Sequence, residues 1–197
     1  MNLTNLSFVL LAQNHNPTVV VEDFWKSVGV INDASEIKKE NLIITPGLSQ
    51  LHLESGEKIV VDPNRFQVLS NSKEKLVHIL NSYCKNLRYI QGQALGFNFN
   101  IVTKPNIYKE YLTRILWDAV PDLINLAFQK TYNNSIATIN LDISSEDQAV
   151  FSFNFNYDFV NTALGDLKIN FQLEWENCEN NAKDFVSNLE KGSLSKV

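Results

Sequence analysis

Between Phe151 and Phe159 every second side chain is an aromatic ring: Phe151, Phe153, Phe155, Tyr157 and Phe159 alternate with Ser152, Asn154, Asn156 and Asp158. A helix would scatter those rings around its circumference. An extended chain collects them on one side, because successive side chains point to opposite faces. The tetrapeptide Phe-Asn-Phe-Asn within this run recurs at Phe97 to Asn100. Both segments are therefore expected to be strands of an antiparallel sheet with one dry face and one wet face.

The same test applied along the chain gives further extended segments. They are Leu6 to Gln13, Leu42 to Ile44, Leu51 to Leu53, Lys58 to Val61, Arg65 to Leu69, Tyr89 to Asn100, Ile136 to Ile143 and Leu167 to Trp175. Ser55-Gly56 and Asp62-Pro63-Asn64 read as turns between them. Asp23 to Val30 has the spacing of a helical turn, and Asn32 to Glu40 reads as a capped turn. A longer helix starts with Asn71 as N-cap and Glu74 three residues later, and buries Leu76, Leu80, Tyr83, Cys84 and Leu87. Pro105 opens a second, strongly apolar helix that restarts at Pro121 and runs to Phe128. A last helix starts near Asn181, buries Phe185 and Leu189, and ends at Gly192.

This order predicts an α+β fold: an antiparallel sheet with three to four helices packed on one face. No linker rich in Gly, Pro or Ser divides the chain, so residues 1–190 are expected to form one globular domain, with a mobile tail over 191–197. Residues 1–91 and 92–190 share a grammar of strand, insert, strands and helix, which leaves two related β-rich halves open.

Composition removes several function classes. A net charge of −5 repels phosphate backbones, and the lysine-rich stretches are interrupted by Glu40 and Glu74, so no nucleic-acid partner is expected. Two distant cysteines, Cys84 and Cys178, make neither a disulfide framework nor a zinc cluster. No apolar stretch is long enough to span a membrane, and the run Phe8 to Ala12 is too short for a signal peptide. A cytoplasmic protein without membrane partner, metal or cofactor is expected. The excess of rings, 12 Phe, 6 Tyr and 3 Trp, points to a core built on aromatics.

The candidate sites are sparse. His15, in the polar loop Asn14 to Pro17, with Glu22 and Asp23 nearby in sequence, forms a potential acid–base or ligand-binding group. His52 and Glu54 share one face of a strand, but no third metal ligand stands out. Asp142, Glu146 and Asp147 lack the spacing of a calcium loop, and His78 and Cys84 lie on different faces of their helix. The phosphate-binding, dinucleotide, serine-hydrolase and metalloprotease motifs are absent. The amides Asn98, Asn100, Asn154 and Asn156 would form a patch if their strands are neighbours. Tyr111, Ile115, Trp117 and Phe128 on the apolar helix are candidate interface residues.

Several stretches resemble an uncharacterised protein family of bacteria, cyanobacteria especially. They are Asn16-Pro17-Thr18 with Asp23-Phe24 and Gly29-Val30, the hairpin Leu51 to Val68, Tyr89 with Gln93 to Asn98, and Phe153 to Asp158. The resemblance implies a small stand-alone cytoplasmic protein and carries no activity, cofactor or catalytic residue. The expected function is that of a non-enzymatic interaction or assembly protein that forms homo-oligomers or binds another protein. The alternative is a small-molecule-binding protein or enzyme with a pocket near the His15 to Asp23 loop.

Overall fold

A computed structural model describes residues 1–104, 125–143 and 148–191. The elements in chain order are β1 (Leu3–Gln13), α1 (Glu22–Ser27), β2 (Ile43–Thr45), β3 (Leu48–His52), β4 (Lys58–Asp62), β5 (Arg65–Ser70), α2 (Lys73–Asn86) and β6 (Gln91–Thr103). They continue with β7 (Asn125–Tyr132), β8 (Ser135–Asp142), β9 (Ala149–Ala163) and α3 (Phe171–Glu190). Short 3-10 turns occupy Ala34–Glu36, Lys39–Asn41 and Leu164–Asp166.

The nine strands form one antiparallel sheet in the order β2-β3-β4-β5-β1-β6-β9-β8-β7. Read outward from the central β1–β6 pair, one arm runs β1, β5, β4, β3 and the other β6, β9, β8, β7. The register repeats this pattern. Phe8 lies opposite Phe97; Val68 flanks Phe8 as Phe155 flanks Phe97; Ile59 flanks Val68 as Ala137 flanks Phe155. Each arm is followed by a long helix, α2 after β5 and α3 after β9. The β6–β9 pairing continues past its end, where the Gly165 N–H donates to the Arg88 carbonyl at 2.9 Å. A side chain at Gly165 would place its Cβ 2.6 Å from Arg88 Cβ, so only glycine permits this approach.

The alternating rings of β9 behave as period two requires. Phe151, Phe153, Phe155 and Tyr157 are buried, and Asn154 and Asp158 between them are exposed. The three described helices cover this dry face. Trp25 of α1 and Tyr83 of α2 stack on Phe66 at 6.0 and 3.8 Å. Trp175 of α3 packs edge-on against Phe97 at 5.1 Å, and Phe185 reaches Phe151 and Phe153 at 6.4 and 6.1 Å. Each ring buries a large apolar area in a contact of defined geometry, so aromatics dominate the core.

Three expectations are corrected. Leu167 to Trp175 is not a strand: Asn170 caps α3 by accepting from the Leu173 N–H at 3.1 Å, and the helix begins at Phe171, well before Asn181. Phe171, Trp175, Cys178, Ala182, Phe185, Val186 and Leu189 form its buried stripe, spaced by threes and fours over five turns. That stripe outweighs a four-residue apolar alternation. Leu126 to Phe128 belong to strand β7, which pairs along its whole length with β8 through the Asn133-Asn134 turn. The remainder of that expected helix, over 105–124, lies outside the described residues, as does the tail from 192 onward. Finally, the N-cap of α2 is Ser72 rather than Asn71, its hydroxyl oxygen accepting from Lys75 N–H.

Candidate functional site

His15 was expected in an open polar loop; the structure places it in the core. Its ring is 3% exposed, and Nδ1 lies 2.6 Å from the Tyr83 hydroxyl. Burial raises the Tyr83 pKa, so its hydroxyl stays protonated and shares a hydrogen bond with the imidazole. Burial also lowers the His15 pKa to about 4, against partial opposition from Asp62. Glu22 is half-buried and Asp23 exposed on α1. Neither is a hydrogen-bond partner of the ring or one of the charges that shift it. His15 thus bonds to Tyr83 and to neither carboxylate, and it ties the loop after β1 to α2.

The remaining reactive side chains are also structural. Cys84 and Cys178 are buried, and burial pushes both thiols up to about 12, so neither presents a thiolate. His78 Nε2 reaches the Gly29 carbonyl at 3.1 Å and does not face Cys84. Glu54 lies 4.0 Å from Lys38, while burial and the charges of Lys58 and Lys38 lower the His52 pKa. No group of three metal-ligating side chains exists among the described residues, and Glu146 and Asp147 of the acidic turn lie outside them.

Glu57 is the one carboxylate deep in the first arm, 3% exposed. Burial alone would raise its pKa, but hydrogen bonds from Ser55 and Lys75 prevail and hold it below the usual range. Ser70 adds a bond at 3.1 Å and the Lys75 ammonium lies 3.3 Å away. Glu57→Gln, which keeps the shape and removes the charge, is expected to lower stability at pH 7 by about 1–3 kcal/mol. Because the folded carboxyl titrates below the unfolded one, that stability is present above the ordinary glutamate pKa of 4.5 and fades below it. Urea denaturation of both proteins at pH 7 and pH 4 checks size and sign.

Two surfaces remain as places where another molecule can bind. The first is the sheet face that no described helix covers. Val60, Gln67, Val9, Gly96 and Asn156 form one row across it by register, and Leu69, Ser7, Asn98 and Asn154 form the next. Asn98 and Asn154 are direct cross-strand neighbours, so the amides do form a contiguous patch. Beside them lie Leu11, 41% exposed, and Leu69, 40% exposed. Among the candidate interface residues, Tyr111, Ile115 and Trp117 fall outside the described residues. Phe128 is half-buried on β7 with its ring 5.7 Å from that of Phe185, so it helps seat α3 instead of standing free on a helix.

The second surface is a cleft of about 520 Å³ between the β7–β8 turn and α3. The turn contributes Asn133 and Asn134; α3 contributes Glu174, Asn177, Asn180 and Asn181 from one side of the helix. Tyr132 and Tyr157 line it as well. The Tyr157 hydroxyl donates to Glu174 Oε2 at 3.1 Å and sits 3.1 Å from Cys178 Sγ, which holds the carboxylate in place. A smaller cleft of about 240 Å³ shares Asn134, Tyr157 and Glu174 and adds Phe159, Asp158 and Lys168. Neither of these clefts, nor one of about 370 Å³ between Ser27–Val28 and α2, has His15, Glu22 or Asp23 among its described lining residues. The sequence expectation missed this site because it put Glu174 in a strand, left Asn177 and Asn180 in no element and started the helix only near Asn181. Spacings of three and four between Glu174, Asn177 and Asn181, beside the Trp175–Cys178–Ala182 stripe, are the signal that marks it.

No protein-family model matches the chain, and no curated protein matches it. No described helix is long and apolar enough to cross a membrane.

Proposed function

We propose that this protein is a non-enzymatic interaction protein that self-associates through the sheet face that no described helix covers. The observation that carries this reading is a strand pattern. Phe8-Val9-Leu10-Leu11 in β1 is apolar on both sides, and Leu11 on its outward side is 41% exposed. Continuous apolar runs characterise strands covered on both faces, whereas a strand with one wet face alternates. In the isolated chain one side of β1 and β5 still exposes Leu11 and Leu69.

The surroundings favour a second copy of the chain as the cover. Lys58 and Arg65 flank the apolar centre together with Asp62 and Asp158, two charges of each sign. Two chains of net charge −5 can thus meet at this face without the repulsion they feel elsewhere. An apolar centre within a polar rim is the anatomy of a protein interface. Strands of 3 to 15 residues, rising about 3.3 Å per residue and spaced about 4.8 Å apart, present about 1,200 Å², more than the roughly 800 Å² each partner of a stable complex buries. Phe97 and Phe153, at 1% and 2% exposure, are not available to stack on bases, so the face offers no aromatic platform for RNA.

Light scattering coupled to gel filtration is expected to give a mass near twice 22.4 kDa at high concentration. Leu11→Lys with Leu69→Lys should return it to one chain without altering the circular dichroism spectrum. A monomer at every concentration rules the reading out.

A further inference from the structure

We propose that the cleft between the β7–β8 turn and α3 is a binding site for a small, neutral, polyhydroxylated molecule of the sugar or polyol class. Its volume of about 520 Å³ falls within the roughly 300–1,000 Å³ of small-molecule sites. The smaller cleft continues it past Asn134, Tyr157 and Glu174.

The chemistry of the lining selects the ligand class. Five asparagines, two from the turn and three from α3, converge on one space. Each amide offers two N–H donors and a carbonyl acceptor side by side. A hydroxyl group likewise donates and accepts, so a row of hydroxyls is the complement of a row of amides. Glu174 adds an acceptor with no proton to give, fixed on one oxygen by Tyr157. Among the described residues the main cleft is lined by no lysine, arginine or histidine, and the one charged side chain, Glu174, is negative. Phosphates and carboxylates are therefore repelled. A bare cation would find one carboxylate but leave five amides without a use. Tyr132 and, in the smaller cleft, Phe159 supply apolar walls against which the C–H face of a ring can lie. The Tyr132 hydroxyl is itself buried without a hydrogen-bond partner, a further polar group at the edge of this space.

Asn177 and Asn180 are exposed, and nothing in the fold requires an amide there. Their recurrence beside Glu174 and Asn181 places four polar side chains against one cleft, while the same helix buries Trp175, Cys178 and Ala182 on the adjoining face.

The test uses the full chain and a panel of neutral mono- and disaccharides and polyols at millimolar concentration. Sugar phosphates and a simple diamine serve as charged comparators. Saturation-transfer NMR detects contact, and calorimetry measures affinity. At least one neutral member is expected to bind, with the phosphates and the diamine at least tenfold weaker. Glu174→Gln and, separately, Asn177→Ala with Asn180→Ala are each expected to weaken that binding at least tenfold while leaving the melting temperature unchanged. The surface variant guards against Glu174→Gln acting through the fold. Absence of binding by every neutral member, preference for a charged comparator, or binding that both variants leave intact overturns the proposal.

Discussion

Replacing Trp175 by alanine is expected to remove about 3–5 kcal/mol of folding free energy, a large part of what a domain of this size possesses. The indole is fully buried, 5.1 Å from the Phe97 ring and 5.8 Å from that of Phe99. It closes the second arm where α3 crosses β6, and its loss would leave a cavity that surrounding rings cannot fill without leaving their rotamers. Leu173, two residues earlier, is 51% exposed, and Leu173→Ala should change stability by no more than about 0.5 kcal/mol. The pair discriminates sharply, because an extended segment would bury Leu173 along with Leu167, Ile169 and Phe171. Chemical denaturation of both variants decides it; a larger loss for Leu173→Ala would contradict the helix.

Mild acid is expected to destabilise the protein through His15 by about 3 kcal/mol. In the folded chain burial drives the imidazole pKa to about 4, while in the unfolded chain it titrates near 6.5. Above pH 6.5 both states hold the neutral ring, and this group makes stability independent of pH. Between about 6.5 and 4 the unfolded chain binds a proton that the folded chain does not, so stability falls by about 1.4 kcal/mol per pH unit. Below 4 both are protonated and the loss levels off. His15→Gln starts lower at pH 7, because the bond to Tyr83 is weakened, but lacks this slope. Denaturation curves collected from pH 7 to pH 4 should therefore converge by about 3 kcal/mol. Parallel curves would show that His15 is protonated in the native state.

What could be read from the chain beforehand depended on whether one period stood alone. Phe151 to Tyr157 fits period two and no other, and the strand is there. In Phe171 to Leu189, two patterns overlap. Four residues alternate, yet Phe171, Trp175, Cys178 and Ala182 also repeat at four, three and four, and the longer pattern governs because it buries more surface. The capping amide of Asn170 and the helix-favouring Gln172, Glu174 and Glu176 agree with it. At Leu126 to Phe128 an apolar stretch was ambiguous, and pairing with β8 settled it. The cleft was less accessible still. Asn133 and Asn177 are far apart in sequence, and only the route of the chain through β8 and β9 brings the turn under α3. The sheet face that no described helix covers was not singled out beforehand either, because the interface was expected on the apolar stretch from Tyr111 to Phe128 and not on the sheet.

The strand order that repeats outward from β1 and β6 also distributes the fluorophores. Trp25 rests on Phe66 in one wing of the molecule and Trp175 on Phe97 in the other, each shielded from solvent. With Trp117 changed to phenylalanine, each wing keeps a private optical reporter. Loosening at one end thereby acquires a spectrum of its own, distinct from the collapse of the whole.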